Sequence, residues 1–208
     1  MDKLDYKKAY KDLYQPKKKP VIITVPAMNF VMIEGKGDPN GEEFFLATAA
    51  LYSLSYAVKM SYKRVHVPTG YYDYTVFPLE GVWDLLDKTL LPTDKSNFKY
   101  KIMMRQPEFL TKDLFERFKD ETKKKKPNLY LDKVEFGTIS EGLCCQMLHI
   151  GSYDNEPESF GMMDQFCKDN RYKRISHEHR EIYLSDPRKI EPNKLKTVLR
   201  YNVEWVCV

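Results

Sequence analysis

Two residues on one short apolar segment have types suited to acid–base chemistry. Glu181 and Tyr183 lie two positions apart in Arg180-Glu-Ile-Tyr-Leu184, so on a β-strand both side chains point to the same face. A carboxylate on a partly dry surface can bind a cation or accept a proton from an attacking water. A neighbouring tyrosine hydroxyl can stabilise developing negative charge. The segment predicts a catalytic pair; the alternative is a carboxylate on a solvated strand.

A second candidate carboxylate lies in the turn-rich segment Pro78-Leu-Glu-Gly-Val-Trp83. Here Glu80 stands three residues before Trp83, whose indole ring can stack on a flat ligand or hold a cation on its face. We therefore expect Glu80 to assist Glu181 in the chemistry and Trp83 to bind ligand. The alternatives are that Glu80 accepts hydrogen bonds from loop amides and that Trp83 is an ordinary core residue.

A helix predicted over residues 42–63 has two apolar or amphipathic faces. One face is a core stripe with steps of three and four, and the other carries Phe45, Tyr52 and Tyr56. Asn40 is predicted to cap its start. A helix that only covers a sheet needs one apolar face, so the second face predicts a ligand-binding cleft wall. The alternative is that this face is buried under another element.

The remaining metal-ligand and nucleophile candidates are weak. His177 and His179 alternate on a strand before Glu181, but the sequence places no third ligand, so we expect no metal and no cofactor. The four cysteines form no CxxC motif and are interpreted as reduced thiols, which predicts a cytoplasmic location. The first residues show no signal-peptide pattern, which favours the same location.

The composition is that of a folded protein. Of 208 residues, 42% are hydrophobic, and no apolar run approaches the roughly 20 residues of a membrane helix. The net charge of +4 is too small to indicate nucleic-acid binding by itself. The lysines before residue 20 are interpreted as a short helical arm on a flexible joint, and the run Lys123–Lys126 as a solvated helix end. We expect neither membrane association nor direct nucleic-acid binding.

The order of predicted elements repeats along the chain. Residues 1–19 form the arm, and residues 20–208 divide into one module over about 20–107, a connecting helix over about 111–126 and a second module over about 134–205. Each module has the order strand, helix, strand, strand. This predicts an α+β fold with one mainly antiparallel sheet, two helices on one face and a cleft between the modules.

Several segments resemble the GyrI-like small-molecule-binding family, especially its stand-alone bacterial members. They are Phe30-Val-Met-Ile-Glu-Gly-Lys-Gly-Asp-Pro-Asn40, Pro78–Trp83, Glu181-Ile-Tyr-Leu-Ser-Asp-Pro-Arg188 and Lys194-Leu-Lys-Thr-Val-Leu199. The resemblance extends from about residue 4 to 204. It implies two fused strand-helix-strand-strand (SHS2) modules with a ligand cleft, and it assigns the family's cleft glutamate to Glu181.

The resemblance implies multidrug-type binding of bulky aromatic, often cationic, compounds. It also implies that this chain hydrolyses strained cyclopropane-bearing electrophiles as a detoxification reaction, with Glu181 activating water. The alternative is a non-catalytic module that sequesters drugs or contacts a protein partner such as DNA gyrase. No helix-turn-helix segment is found, so the activator role of some relatives is not expected. Whether turnover occurs stays open at the level of sequence.

Overall fold

The computed structural model describes residues 3–91 and 94–207. Within these residues the helices are α1 (Tyr6–Ala9), α2 (Lys11–Tyr14), α3 (Glu42–Lys59), α4 (Lys112–Lys125) and α5 (Glu156–Asp169). The strands are β1 (Val21–Val25), β2 (Met28–Lys36), β3 (Leu79–Leu85), β4 (Phe98–Arg105), β5 (Glu135–Ile139), β6 (Gly142–Ile150), β7 (Tyr172–Arg174), β8 (His179–Tyr183) and β9 (Lys196–Trp205).

The predicted order of elements is confirmed. It occurs once as β2–α3–β3–β4 and again as β6–α5–β8–β9, with the short β7 added before β8. The strand pairs within each compact unit are antiparallel, so the predicted α+β class is also confirmed. No helix among the described residues combines the length and hydropathy that a membrane crossing needs.

The chain folds into two compact units that interleave along the sequence. The first unit contains the residues up to Tyr6, Met28–Phe77 and Leu85–Ile139. The second contains Lys7–Ala27, Pro78–Asp84 and Ser140–Val208. The units therefore do not coincide with the two consecutive modules expected from the sequence, because β1 and β3 pair with strands from the C-terminal part of the chain.

The first unit is built around β2. This strand pairs with β4 on one side and β5 on the other, and its buried residues, Met28 and Phe30–Ile33, are apolar. The predicted core stripe of α3 is confirmed, since Ala47, Leu51, Leu54 and Val58 are buried. Helix α4 starts after Thr111, whose Oγ1 caps it by accepting a hydrogen bond from the Leu114 amide.

Two local features of the first unit differ from what their sequence patterns predict. Gly41 rather than Asn40 is the residue before α3, because the backbone and side-chain amides of Asn40 both donate to Asp38. The segment Tyr71–Phe77 alternates like a strand, yet the strand begins only at Leu79. The aromatic rings of that segment pack around Phe109 instead, so burial of large side chains outweighs the local strand pattern.

The second unit is a sheet in the order β1-β6-β9-β8-β3, with β7 also paired to β9. Helix α5 packs on one face of this sheet. The apolar core under the helix consists of Cys145, Met147, Met163, Cys167, Leu199, Tyr201 and Val203. The buried His149 ties the helix to the sheet, because its Nδ1 lies 2.9 Å from Ser159 Oγ.

A buried ionic network lies on the opposite face of this sheet. Arg180 donates to Glu80 Oε2 at 2.7 Å and to Glu141 Oε1 at 2.8 Å. Arg200 donates to Glu141 Oε2 at 2.9 Å and also to the carbonyl oxygen of Leu13. Two positive and two negative side chains, each no more than 10% exposed, thus balance one another within the sheet.

The N-terminal segment takes part in this network. Leu13 and Tyr14 are buried, and the Tyr14 hydroxyl donates to Glu80 Oε1 at 3.4 Å. The segment is therefore packed into the second unit, in contrast to the arm on a flexible joint expected from its lysines.

Replacing Arg180 by methionine should lower the free energy of unfolding by about 3–5 kcal/mol, because Glu80 loses its ion pair and Glu141 loses one of its two arginine partners. Urea denaturation of the purified protein measures this. Arg188→Met is the matched control, since Arg188 pairs with Asp186 and its side chain is 79% exposed; it should cost less than about 1 kcal/mol. Equal losses in the two variants would contradict a structural role for the buried network.

Candidate functional site

The register of β8 against β3 sorts the charged side chains onto two faces. Gly81 lies opposite Glu181, and Trp83 lies opposite His179. Directly opposed residues of antiparallel strands share a face, and neighbours along a strand alternate. Glu181, His179 and Trp83 are therefore on the α5 face, together with Tyr183, whereas Arg180 points to the ionic network.

Glu181 lies in a largely buried position beside His179. Its side chain is 12% exposed, and its Oε1 lies 3.1 Å from His179 Nε2, within hydrogen-bond distance. After burial, the negative charge of Glu181 is the main cause that raises the pKa of Tyr183 and of Glu156, so both side chains lie near this carboxyl group. The predicted pairing of Glu181 with Tyr183 on one strand face is thus observed in the structure, while the catalytic roles assigned to the two residues stay predictions.

Tyr183 is hydrogen-bonded to Trp83. The indole Nε1 of Trp83 donates to the Tyr183 hydroxyl oxygen at 2.8 Å. Burial, followed by the negative charges of Glu181 and Glu156, raises the pKa of Tyr183 well above its ordinary value of 10.0. Tyr183 therefore remains a neutral donor at physiological pH.

Gly81 makes this arrangement possible. A Cβ atom at position 81 would lie 2.6 Å from Trp83 Nε1 and 3.1 Å from the Tyr183 hydroxyl oxygen. Both distances are too short for unstrained contacts, so only glycine leaves room for the indole to reach the tyrosine. This explains physically why a glycine precedes the tryptophan by two residues in Pro78–Trp83.

Glu156 is a site residue that the sequence reasoning did not identify. It is the first residue of α5 and is only 5% exposed. Burial raises the pKa of Glu156 well above its ordinary value of 4.5, and the charge and hydrogen bond of Glu181 raise it further. Two carboxyl groups from elements about 25 residues apart in sequence therefore meet at one point of the second unit.

Aromatic rings surround these carboxyl groups. Tyr153 packs edge-on against Tyr183 with ring centroids 5.9 Å apart, and Phe160 packs edge-on against His179 at 4.8 Å. Burial, together with the negative charges of Glu181, Glu156 and Asp186, raises the pKa of Tyr153 to about 12. With Trp83, the group offers ring faces and edges next to negative charge, a combination that suits aromatic cations.

Glu80 lies elsewhere in the second unit. It is opposite Ile182 in the strand pairing, and so on the face of Arg180 rather than that of Glu181. Burial raises the pKa of Glu80, while the positive charges of Arg180 and Arg200 act in the opposite direction. Glu80 is therefore part of the buried ionic network, and not a residue of a turn beside Trp83 as the sequence suggests. None of its contacts supports the catalytic role predicted for it.

Phe45, Tyr52 and Tyr56 lie on α3 in the first unit. All three are at least 37% exposed, and the rings of Tyr52 and Tyr56 stack with centroids 6.5 Å apart. The second face of the helix is therefore exposed, in contrast to the alternative that another element buries it. Ligand binding by these rings, and the cleft predicted between the two modules, stay predictions.

The structure gives His179 a hydrogen-bonding role. It contacts Glu181 and Phe160, and among the described residues no group of three or more His, Cys, Asp or Glu side chains is placed to hold a metal ion. Cys144, Cys145 and Cys167 are buried free thiols, and Cys207 is an exposed one.

Comparison with known proteins identifies the family. The model of the GyrI-like small molecule binding domain matches residues 18–202. The chain belongs to the GyrI-like family. No curated protein matches it.

Solved structures of relatives agree with this assignment. An uncharacterised conserved protein from Listeria innocua is 40% identical, with a TM-score of 0.92 over 97% of this chain and 100% of the other. Two structures of hydrolases from Listeria innocua are each 39% identical, with TM-scores of 0.89 and 0.91. They cover 97% and 98% of this GyrI-like chain and 100% of their own.

Some of the missed residues leave a signal in the sequence. Arg200 follows Val198 and Leu199 on β9, and a charge in such a position indicates a buried partner. Arg180 gives no such signal, because it lies between His179 and Glu181 on β8. Glu156 offers no comparable signal, because an acidic residue in the first turn of a helix is common on solvated helices. Only the packing of α5 on the sheet brings it to Glu181.

Gly81→Ala should displace the Trp83 indole and break its hydrogen bond to Tyr183, because the new Cβ overlaps Nε1. We expect a loss of about 1–3 kcal/mol in the free energy of unfolding and a changed Trp83 emission spectrum. Both are measured in a Trp205→Phe background, which removes the second tryptophan. Gly161→Ala is the control, since a Cβ there meets nothing within 4 Å. An unchanged Trp83 spectrum in Gly81→Ala would refute the steric argument.

Proposed function

We propose that the protein binds bulky aromatic, often cationic, small molecules at the Glu181 face of the second unit and hydrolyses strained cyclopropane-bearing electrophiles there. The observation that carries the proposal is the largely buried carboxyl group of Glu181 among Tyr183, Trp83 and Tyr153. The family to which the chain belongs is described as a small-molecule-binding domain. Two relatives that are each 39% identical to this chain are described as hydrolases, which supports turnover. Such a reaction would serve detoxification.

Glu181 supplies the base in this proposal. A water oxygen bonds to a cyclopropane carbon while the water proton passes to the Glu181 carboxylate. The ring carbon–carbon bond breaks, its electron pair moves into the conjugated carbonyl group of the substrate, and the proton on Glu181 passes through solvent to the resulting oxygen, which returns Glu181 to a carboxylate. The net change is the addition of one water, so no oxidant or reductant is needed.

Tyr183 and Trp83 lie on the same strand face as the base. The tyrosine hydroxyl accepts a hydrogen bond from the Trp83 indole, and Tyr183 and Glu181 are two positions apart on β8, so both rings help to shape the surroundings of the carboxyl group. Aromatic faces beside the carboxylate add about 0.5–2 kcal/mol for each ring that contacts a cationic or flat ligand. The same rings and carboxylate can also bind a ligand that has no cyclopropane to open. A variant can therefore lose turnover and still bind ligand.

Glu181→Gln should abolish turnover and retain aromatic binding, because glutamine keeps the shape of the side chain but cannot accept the proton. The expected rate loss is about 10²–10⁴-fold. The measurement is mass spectrometry after incubation with a compound in which a cyclopropane is fused to a conjugated dienone, scoring the product that has gained one water. The control is Glu178→Gln, since Glu178 is exposed three residues away.

The outcomes of this experiment separate the candidate functions. Absence of a hydrated product with the unmodified protein, together with retained binding, would favour a module that sequesters ligands without turnover. Equal rates for Glu181→Gln and the control would remove Glu181 from the chemistry. A DNA gyrase partner and a cytoplasmic location remain predictions of the sequence alone.

We also propose that the exposed rings of Tyr52 and Tyr56 contact aromatic ligands. Replacing both by alanine should weaken binding of an aromatic cation by about 1–4 kcal/mol in total, at 0.5–2 kcal/mol for each ring. Isothermal titration calorimetry measures the change. Tyr62→Ala is the control, because Tyr62 is an exposed tyrosine outside the stacked pair. An affinity that is the same in the double variant and the control would exclude the two rings from ligand binding.

A further inference from the structure

An open cavity of about 580 Å³ lies in the second unit, beside the C-terminal end of α5. Its volume is typical of sites for small molecules. The cavity is separate from the Glu181 group, because neither Glu181 nor His179 lines it. The lining side chains that matter for its chemistry are Asp164, Lys168, Arg171, Tyr172, Arg174 and Val206.

Arg174 is held in a fixed position at this cavity. Its Nε donates to the carbonyl oxygen of Ser176 at 2.7 Å, and its Nη2 donates to the carbonyl oxygen of His177 at 2.7 Å. The guanidinium carbon also lies 4.4 Å from the centroid of the Tyr201 ring. These contacts fix the guanidinium group without neutralising it, because carbonyl oxygens and an aromatic ring carry no net charge.

The positive charge of Arg174 has no ion-pair partner among the described residues. Asp164 acts on it only through space. Burial is the largest influence on the pKa of Arg174 and lowers it, so the neighbouring negative charge does not fully offset the partial loss of water. Charges that are removed from water are ordinarily paired. This guanidinium group therefore favours an anion that the chain itself does not supply.

Two further positive side chains border the same cavity. Lys168 and Arg171 are exposed, and within the part of the chain that the structure describes neither side chain has an ion-pair partner. Both lie at the end of α5, where the helix dipole favours positive charge, so they would not indicate a ligand without Arg174. Asp164 is the carboxylate at the cavity, and it accepts a hydrogen bond from the Tyr201 hydroxyl at 2.8 Å. Three cations and one carboxylate leave an excess of two positive charges.

The backbone of Arg171 supports a role for its side chain. Its φ of 62° lies in the left-handed region, and among the described residues it is the one position other than glycine with a positive φ. Glycine adopts this conformation at lower cost. An arginine at the turn between α5 and β7 is therefore a poor choice for folding alone.

The other charged residue of β7 does not add to this excess. Lys173 borders the cavity, but it is next to Arg174 on the strand and opposite Glu204 on β9. Neighbouring residues of a strand point to opposite faces, so the Lys173 side chain belongs to the other face of the sheet. Tyr172 shares the face of Arg174 and, with Val206, supplies apolar surface at the cavity.

We propose that this cavity binds a small phosphate monoester with an apolar body. Arg174, Lys168 and Arg171 contact the phosphate, and Tyr172 and Val206 contact the apolar part. A phosphate monoester carries close to two negative charges at neutral pH, which matches the excess of two positive charges. Guanidinium groups also bond well to phosphate oxygens. The site does not depend on the hydrolysis proposed above.

Isothermal titration calorimetry with 1-naphthyl phosphate at neutral pH tests the proposal. The unmodified protein should bind it more tightly than 1-naphthoate, which has one negative charge, and more tightly than inorganic phosphate, which has no ring. The neutral compound 1-naphthol should bind more weakly than the phosphate ester. Absence of binding would overturn the proposal. So would an affinity for 1-naphthoate, inorganic phosphate or 1-naphthol that equals or exceeds the affinity for 1-naphthyl phosphate.

Variants of exposed residues locate the binding. Replacing Lys168 and Arg171 together by glutamine should weaken binding of 1-naphthyl phosphate by about two- to fivefold for each lost charge. Both side chains are exposed and unpaired in the described structure, so this variant should fold. The matched control replaces Lys18 and Lys19 by glutamine, which removes the same charge from an exposed segment of the same unit. The control should bind within about twofold of the unmodified protein, and equal losses in the two variants would overturn the site.

Two single variants separate binding from folding. Arg174→Gln should weaken binding at least about tenfold, because it removes the fixed cation. Circular dichroism checks its fold, and unchanged affinity in the folded variant would overturn the proposal. Arg171→Gly should bind more weakly and yet have a Tm no lower than that of the unmodified protein, because glycine relieves the left-handed backbone. Unchanged affinity in Arg171→Gly would overturn the role of Arg171 in binding and assign it to the turn alone.

Discussion

The placement of Glu181 depends on the buried ion pairs of its neighbour, Arg180. This arginine bonds to Glu80 on the adjacent strand and to Glu141, and each of the three side chains is largely buried. A slip of one residue in β8 would move Arg180 to the α5 face and Glu181 to the ionic face. Either change would leave charges buried without partners, which costs more than any single apolar contact recovers. The network therefore specifies the register that puts Glu181 in position.

The two faces of one strand thus use charge in opposite ways. On the network face, positive and negative groups are matched, so the charges are neutralised within the protein. On the other face, Glu181 lies 3.1 Å from His179, shares the strand face with Tyr183, and is close enough to Glu156 for the two carboxyl groups to interact. This side has an excess of negative charge and of aromatic surface. Such an excess is typical of a binding or catalytic site, because a structural site would be balanced.

Membership of a ligand-binding family does not by itself define a reaction. Aromatic rings and a carboxylate can hold a cation without changing it, and the same carboxylate becomes a base when a water and an electrophilic carbon lie next to it. The difference between a binding protein and a hydrolase in this setting rests on whether Glu181 is oriented toward a water and an electrophilic carbon. The side chains packed around Glu181, such as His179, limit that orientation.

The amino-acid sequence by itself determined the features that depend on short-range patterns. The period-two pattern put Glu181 and Tyr183 on one strand face, and the order of strands and helices was correct because hydrophobic periodicity reports local structure. Local patterns misplaced the cap of α3, where Asn40 bonds to Asp38 instead. Only the tertiary structure assigned Glu80 to Arg180 and brought Glu156 to Glu181, because strand pairing and helix packing join residues far apart in sequence. Such pairings depend on the energy of burying charges together, which no local pattern records.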